Sequence, residues 1–227
     1  MIRSIIFNIF FWPAFLGYLF IMSPIVYFSS PKTTLKIGYR PVTRLMLFCM
    51  KYFANVNYEI KNREKVPNEQ VIIGCNHQSA WETFIFSILF DELAVVVKKE
   101  LVTTPIAGLY IKRLNCIPVD RESPVKAIKT LMKFGKLAYQ KGKSIVIFPN
   151  GTRSSADEQA EYKSGIFALY KTLGIPVVPA YVDSGKHWPR NAFKKIPGTI
   201  TLDFKDPIQP GLNKDEFFKE FENKVGQ

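Results

Sequence analysis

Short apolar runs alternate with segments of helical periodicity from Asn57 to the end of the chain. Five of the runs are rich in β-branched residues, which favour strands. They are Val71–Cys75, Ala94–Val97, Ser144–Phe148, Val177–Val182 and Thr199–Phe204. Strands that alternate with helices usually build a sheet with helices packed against it. The alternation therefore predicts an α/β fold, with a mixed and mainly parallel sheet flanked by helices.

Three helices are predicted between and after these strands. The first begins at Ser123-Pro124, where proline suits the first helical position, and ends before Gly142. The second runs from about Lys163 to Leu173, and the third begins at Asn213. The lysines of the first helix lie mostly off its apolar stripe, so we interpret them as a solvated helix face.

The N-terminal segment differs in composition from the rest of the chain. No charged residue occurs between Ser4 and Ser30, and this run is long enough to cross a bilayer core of ~30 Å. Pro13 and Pro24 would kink a helix here. No cleavage site typical of a secretory signal follows the run, so we do not expect its removal.

The next apolar stretch, Leu45–Phe53, is too short to span a bilayer. It is interpreted either as an interfacial helix or as a buried core helix. We expect residues 1–55 to form N-terminal membrane-anchoring helices and residues 56–227 to form one globular domain.

The formal net charge of +12 suits an anionic partner. Charge alone does not choose among a nucleic acid, a phospholipid surface and an acidic substrate. No basic and aromatic RNA-binding motif occurs, so no nucleic acid partner is expected. Cys49, Cys75 and Cys116 are widely spaced in apolar surroundings, which indicates neither a disulfide framework nor a zinc site. We expect a reducing environment and no bound metal.

His77 follows the first predicted strand, and the carboxyl ends of strands are where catalytic groups gather in open α/β sheets. Glu82 lies five positions later. On a continuous helix the two side chains would be about 140° apart, so they can meet only if His77 lies in a strand-to-helix turn. Glu82 would then accept a hydrogen bond from one imidazole nitrogen and leave the other to act as a base. By spacing alone, an ordinary polar turn at the surface remains the alternative.

This pattern is the first of four ordered blocks, and a short basic run, Lys98–Leu101, lies between the first block and the second. Asn76-His77 with Glu82 is followed by Lys98-Lys99-Glu100-Leu101 and Ile117-Pro118-Val119-Asp120-Arg121, then by Phe148-Pro149-Asn150-Gly151-Thr152-Arg153-Ser154, and then by Ile175-Pro176-Val177-Val178-Pro179. In this order they resemble the blocks of the glycerolipid acyltransferase family, and the match is closest to bacterial 1-acylglycerol-3-phosphate acyltransferases. The resemblance covers roughly residues 70–182.

The resemblance implies an acyltransferase catalytic domain over residues 56–227 that works at a membrane. It implies transfer of a fatty acyl group from acyl-CoA or acyl carrier protein to the free hydroxyl of lysophosphatidic acid, which gives phosphatidic acid. No bound cofactor is implied, since the thioester is a co-substrate. The implied location is the cytoplasmic side of a bacterial inner membrane.

The resemblance also implies residue roles. His77 would be the general base, and Glu82 would orient it. Arg153 and Arg121 would hold the acceptor's phosphate, and Lys98 or Lys99 would assist. The remaining substrate-binding candidates are Asn150, Gly151 and Thr152. The small residues of the Gly151–Ser154 loop are also expected to leave backbone N–H groups accessible, although the sequence does not name the oxyanion donor.

Two positions depart from the family pattern. Glu82 stands where the family usually has Asp, which keeps a carboxylate on a longer stem. Asn150 stands where the family usually has Glu, so no anion acts at this position. The loss of that charge keeps a second acceptor class open, such as another lysophospholipid or an ornithine lipid.

Other catalytic classes find less support in the sequence. No Gly-x-Ser-x-Gly motif of a serine hydrolase occurs. Cys75 lies two residues before His77, but strand alternation places it among core side chains, so direct transfer without an acyl-enzyme is expected. His187 has no family block around it and is interpreted as loop structure or a contact at the membrane edge.

Overall fold

The structure is a computed structural model that describes residues 1–153 and 162–226. Its helices are α1 (Ile2–Phe28), α2 (Pro31–Thr33), α3 (Arg40–Cys49), α4 (Trp81–Leu89), α5 (Ala107–Arg113), α6 (Pro124–Gln140), α7 (Gly165–Leu173) and α8 (Lys214–Val225). Its strands are β1 (Val56–Lys61), β2 (Ile72–Cys75), β3 (Leu93–Lys98), β4 (Ile117–Val119), β5 (Ser144–Ile147), β6 (Val177–Val182) and β7 (Gly198–Phe204).

Within the described residues, the strands form one sheet of order β1-β7-β6-β2-β5-β3-β4. Neighbouring strands are parallel except for β6 and β7, which are antiparallel. This confirms the predicted α/β class and the mainly parallel sheet. All five predicted strands are present. The two strands without a prediction, β1 and β4, are the edge strands of the sheet.

Helices cover both faces of the sheet and form two apolar layers. One layer contains α1, α3, α4 and α5, and the other contains α6, α7 and α8. Predicted helix starts lie close to the observed ones, with α7 beginning two residues later than expected. At α8, the Asn213 side chain accepts hydrogen bonds from the N–H groups of Asp215 and Glu216, and Glu216 returns a bond to the N–H of Asn213. This capping box fixes the start of the helix.

The N-terminal helix α1 lies along the domain. Its contacts include Ser4, which is hydrogen-bonded to Lys195, and Leu19, whose carbonyl accepts a bond from the Tyr110 hydroxyl. Among the described residues, α1 is the one helix long and apolar enough to cross a membrane by length and composition. Only 17% of its most apolar window is buried. One stripe of α1 therefore packs on the domain while a wide apolar face stays exposed.

The stretch Leu45–Phe53 is helical and packs beside α1. It comprises the end of α3 and a π-helical turn over Met50–Ala54. Met46 and Met50 are buried in the core, whereas Tyr52 is exposed. One side of this stretch is therefore buried, as expected for a core helix. The other side exposes an aromatic residue, as expected for an interfacial helix.

Candidate active site

The turn between β2 and α4 carries His77. Asn76 fixes the start of this turn, because its amide group donates to the Val182 carbonyl at 2.8 Å and accepts from the Val182 N–H at 2.7 Å. The two bonds extend the contact between β2 and β6 past the end of β2. His77 therefore lies at the carboxyl edge of the sheet, as the sequence predicts.

His77 and Glu82 are in direct contact. The Nδ1 atom of His77 lies 2.9 Å from Oε1 of Glu82. Glu82 is fully buried, and its Oε1 also accepts the N–H groups of Gln78 at 2.6 Å and Ser79 at 2.7 Å. Its other oxygen, Oε2, accepts the hydroxyl of Ser184 at 2.7 Å. This bonding locks the carboxylate against the imidazole.

The electrostatics of this pair favour an ionised Glu82. Burial by itself raises the pKa of Glu82, but hydrogen bonding and charge attraction from His77 lower it, and bonds from Ser79 and Ser184 lower it further. The net pKa lies below its ordinary value. A carboxylate accepts hydrogen bonds, so Nδ1 carries the proton in this contact. Proton transfer with a substrate is then assigned to Nε2.

The imidazole ring is also held from its face. It stacks on Phe148, with ring centroids 4.3 Å apart and an angle of 23° between the planes. Phe148 follows β5, and β5 pairs directly with β2. The histidine is therefore fixed by one ring contact and one charged hydrogen bond, a degree of order that suits a positioned base.

One cavity of about 680 Å³ connects His77 with the basic residues of the later blocks. Lys98, Arg121, Thr152 and Arg153 line it together with His77. Other walls are apolar and come from both the domain and α1: Phe15, Leu19, Phe84, Val95, Tyr110 and Leu114. The cavity thus joins a charged region to an apolar region at the base, which suits an amphiphilic ligand.

Comparisons with known proteins show the family to which the chain belongs. Residues 57–183, more than half of the chain, match the sequence model of the family described as Acyltransferase. A 1-acyl-sn-glycerol-3-phosphate acyltransferase from Pseudomonas aeruginosa is 33% identical over 187 residues, which cover 81% of this chain and 73% of that protein. The chain belongs to the Acyltransferase family.

Two further comparisons extend to other bacteria. A protein of the same name from Bacillus subtilis is 32% identical over 155 residues, covering 66% of this chain and 73% of that protein. The crystal structure of the 1-acyl-sn-glycerophosphate (LPA) acyltransferase, PlsC, from Thermotoga maritima superposes with a TM-score of 0.77 at 21% identity, covering 98% of this chain and 94% of that one. The acyltransferase therefore shares the fold of that structure over nearly its whole length, α1 included.

Three of the predicted substrate-binding residues do not line the cavity of this acyltransferase. Lys99 points elsewhere and lies 3.5 Å from Asp120 in an ion pair. Asn150 is buried, and its amide atoms have no hydrogen-bond partner among the described residues. Gly151 adopts a left-handed conformation with φ of 71° beside the Lys163 side chain. These three residues lie outside the wall of the cavity, and their roles in substrate binding stay predictions.

The expectation of accessible N–H groups after Asn150 needs one correction. The Gly151 N–H donates to the Phe148 carbonyl at 3.0 Å, so the turn itself uses this donor. The cause is the tight turn that reverses the chain after β5, which closes a backbone bond inside the loop. Ser154, the last residue of that loop, lies outside the described residues.

The structure adds partners that sequence reasoning missed. Ser184 bonds Glu82, and the Gly185 N–H bonds the side-chain carbonyl of Gln78 at 3.0 Å. Both come from the turn after β6, about a hundred positions along the chain, so no local spacing could indicate them. Arg190 lines the cavity as well, and it lies beyond the last family block.

The remaining candidate nucleophile and second histidine lie away from this chemistry. Cys75 is fully buried, and burial together with the Glu82 charge raises the pKa of its thiol well above the ordinary value. The Nδ1 atom of His187 lies 3.0 Å from the Ile196 carbonyl in a loop. No cluster of metal-ligating side chains occurs in residues 1–153 and 162–226.

Proposed function

We propose that this acyltransferase moves a fatty acyl group from the thioester of acyl-CoA or acyl carrier protein to the free hydroxyl of 1-acylglycerol-3-phosphate, giving phosphatidic acid. The observation that carries the proposal is one cavity in which His77, held by Glu82, faces the same space as Arg153 and Arg121. The relatives named for this activity support the choice of acceptor.

The proposed reaction is direct acyl transfer. Nε2 of His77 takes the proton of the acceptor hydroxyl as its oxygen attacks the thioester carbon. The tetrahedral intermediate then breaks the C–S bond, and the imidazolium returns the proton to the departing thiolate. Glu82 stabilises the imidazolium between the two proton transfers. A positioned general base of this kind contributes about 10²–10⁴-fold to the rate.

The acceptor is proposed to bind by its phosphate. Arg153 and Arg121 offer forked guanidinium donors that fit phosphate oxygens, and Lys98 adds a positive charge at the same cavity. The acyl chains would lie against the apolar walls, where their burial contributes binding energy. With the phosphate held, the free hydroxyl of the acceptor is brought toward His77.

Direct transfer makes a covalent role for Cys75 unnecessary. Its thiol is buried and its raised pKa opposes formation of the nucleophilic thiolate. We expect Cys75→Ser to keep turnover within about threefold of the wild type, because a hydroxyl of similar size replaces a core thiol. An acyl adduct on Cys75, found by mass spectrometry after rapid quenching, would overturn direct transfer.

The proposed location is a membrane surface. The exposed apolar face of α1 would enter the lipid, and α1 also lines the cavity through Trp12, Phe15 and Leu19. Acceptor and product could then stay in the lipid while the donor arrives from water. Lys32 and Lys36 follow the apolar helix, and positive charge at this place favours the cytoplasmic side of a bacterial inner membrane.

A second candidate function is acylation of another lysolipid, which the neutral Asn150 favours. Purified full-length protein, offered defined lysolipids with acyl-CoA and with acyl carrier protein, separates the two by the masses of the products. The proposal predicts phosphatidic acid as the main product. Acylation of lysophospholipids or lyso-ornithine lipid without phosphatidic acid would reject it in favour of the second candidate.

A further inference from the structure

Arg190 shares the cavity with Arg153 but lies outside all four family blocks. It sits in the loop that joins β6 to β7. Its Nη1 atom donates a hydrogen bond to the backbone carbonyl of Arg153 at 3.0 Å. The side chain of Arg190 therefore both touches the loop that carries Arg153 and faces the space that Arg153 faces.

The loop that carries Arg190 is anchored to α1. Trp188 is buried, with its ring 5.5 Å from the Phe7 ring in an edge-to-face contact. The Asn8 amide donates to the Phe193 carbonyl at 3.0 Å, and Ser4 bonds both the N–H and the carbonyl of Lys195. These contacts hold the backbone on both sides of Arg190. Little backbone freedom then remains to be lost when Arg190 binds a ligand.

The charges around this pair favour an anion with more than one negative charge. Arg153 and Arg190 are close enough for the second charge to act on the first: burial lowers the pKa of Arg153, Glu82 opposes the shift, and Arg190 adds to it. Neither guanidinium forms a salt bridge with any residue of the described part of the chain. Glu82 is already bonded to His77, Gln78, Ser79 and Ser184.

Two adjacent guanidinium groups discriminate between phosphate esters by charge. A phosphate monoester carries close to two negative charges at neutral pH and three oxygens that accept hydrogen bonds. A phosphodiester, as in headgroup-bearing lysophospholipids, carries one charge and two such oxygens. One guanidinium satisfies a diester, whereas the monoester has charge and acceptors for both.

We propose that Arg190 is a further phosphate-binding residue beside Arg153 and Arg121, and that its added guanidinium selects acceptors with a terminal phosphate monoester over acceptors with a phosphodiester headgroup. The assignment rests on the proposed function and names the substrate feature that the site selects.

The test compares two acceptors in the same mixed micelles with one acyl donor. Lysophosphatidic acid is the monoester and lysophosphatidylglycerol is the diester. For Arg190→Gln, we expect KM for the monoester to rise about 10- to 100-fold, the effect of one lost charge-assisted bond. The kcat should change little, and KM for the diester should stay within about threefold because one guanidinium suffices for it.

Lys194→Gln is the matched control. Lys194 is an exposed cation four residues later on the same loop, and it does not line the cavity. Removal of its charge should leave the ratio of kcat/KM for the two acceptors unchanged. Arg190→Lys should recover part of the preference, since it restores the charge without the forked donors. Thermal unfolding of each variant shows whether the fold is kept.

A pH series tests whether Arg190 binds the phosphate itself, because a purely structural role of Arg190 would not change how KM depends on pH. The second ionisation of a phosphate monoester has a pKa near ~6, so between about pH 7.5 and 5.5 the acceptor loses one charge. Wild-type KM for the monoester should rise over this range, and the rise should be much smaller in Arg190→Gln. The variant and the wild type are compared at each pH, so pH effects that both enzymes share cancel in the ratio of their KM values.

The outcomes separate this assignment from the proposed function. Equal losses on both acceptors in Arg190→Gln, or a pH dependence of KM like that of the wild type, would overturn the role of Arg190 while leaving the function in place. A wild-type enzyme that forms no phosphatidic acid would reject the proposed function and the assignment with it.

Discussion

At the scale of single residues, one carboxylate organises the proposed chemistry. Glu82 Oε1 accepts bonds from His77 and from the N–H groups of Gln78 and Ser79, so it binds the base and the turn that carries the base. It does this from the first turn of α4. The glutamate side chain, longer than the usual aspartate, thus reaches back over the turn. Its contact with the imidazole is the one predicted from the sequence.

Substitutions of Glu82 test this arrangement. Glu82→Gln keeps the size but loses the charge that stabilises an imidazolium, so kcat/KM should fall about 10²–10⁴-fold. Glu82→Asp keeps the charge but shortens the reach, so its kcat/KM should lie between the values of the wild type and the Gln variant. Steady-state kinetics on folded protein measure both. A Gln variant as active as the wild type would show that the charge has no part in the reaction.

The site was only partly predictable from the sequence. His77, Glu82, Arg121 and Arg153 lie in the blocks that resemble the family, so the resemblance indicated their roles, which spacing alone did not. Ser184 and Arg190 reach the site through long-range folding, and nothing in their neighbourhood signals it. Lys98 and Lys99 are adjacent in the sequence and were both predicted to bind substrate. Which of the two lines the cavity depends on the fold.

At the scale of elements, the loop between β6 and β7 connects α1 to the cavity. Lys195 is its most unusual member: only 3% exposed, it lies 5.0 Å from the Phe7 ring centre and 4.8 Å from that of Trp188. Its Nζ also donates to the carbonyls of Ala192 and Phe193. A buried ammonium thus holds the loop against α1 through its bonds and its ring contacts.

This buried lysine predicts a pH-dependent stability. Burial lowers the pKa of Lys195 to about 8, whereas the solvated lysine of the unfolded chain has the ordinary value of 10.5. Between these values the unfolded chain binds more protons than the folded one, so the free energy of unfolding rises with pH. Below about pH 8, Lys195 is charged in both the folded and the unfolded chain, so its contribution to the free energy of unfolding no longer depends on pH. We expect the difference in melting temperature, wild type minus Lys195→Met, to increase as pH rises from 8 to 10.5.

The Lys195→Met comparison also controls for other groups. Groups that titrate in both proteins cancel in the difference of melting temperatures, and Met keeps an apolar stem between the two rings. A difference that stays constant across this pH range would show that Lys195 does not titrate in the folded state as proposed.

Elements with regular patterns were predictable, and elements without them were not. The central strands β2 and β5 are buried on both faces and mostly apolar, so their runs were recognisable. The edge strand β1 exposes Asn57, Tyr58 and Glu59 in succession, a pattern that resembles a loop. Strand β4 has three residues, too few for any period to appear.

At the scale of the whole molecule, the two faces of the sheet differ in their surroundings. The α1 layer carries a wide exposed apolar face, whereas α6 on the other layer exposes Lys126, Lys129, Lys133 and Lys136. Residues of α1 and of the turn that carries His77 line the cavity. With membrane lipid on the α1 side and water on the α6 side, the lipid acceptor would reach the cavity from the membrane and the acyl donor would reach it from water. This orientation depends on packing of α1, which composition alone could not reveal.

A pair of matched substitutions tests the orientation. Phe20 on α1 is 68% exposed and Val125 on α6 is 67% exposed, so each offers an apolar side chain to its own surroundings. Phe20→Glu should weaken flotation with anionic vesicles about tenfold or more, the effect of losing one inserted aromatic group. Val125→Glu should not change flotation. Equal effects of the two substitutions would contradict the assignment of the α1 face to lipid.

The central claim is that the imidazole of His77, held by Glu82, is the base that activates the lipid hydroxyl. The most direct test is the rate of phosphatidic acid formation by His77→Ala, with melting temperature and vesicle binding measured on the same sample. We expect kcat to fall by about 10²–10⁴-fold, with melting temperature and vesicle binding close to those of the wild type. Turnover within tenfold of the wild type in the folded variant would contradict it.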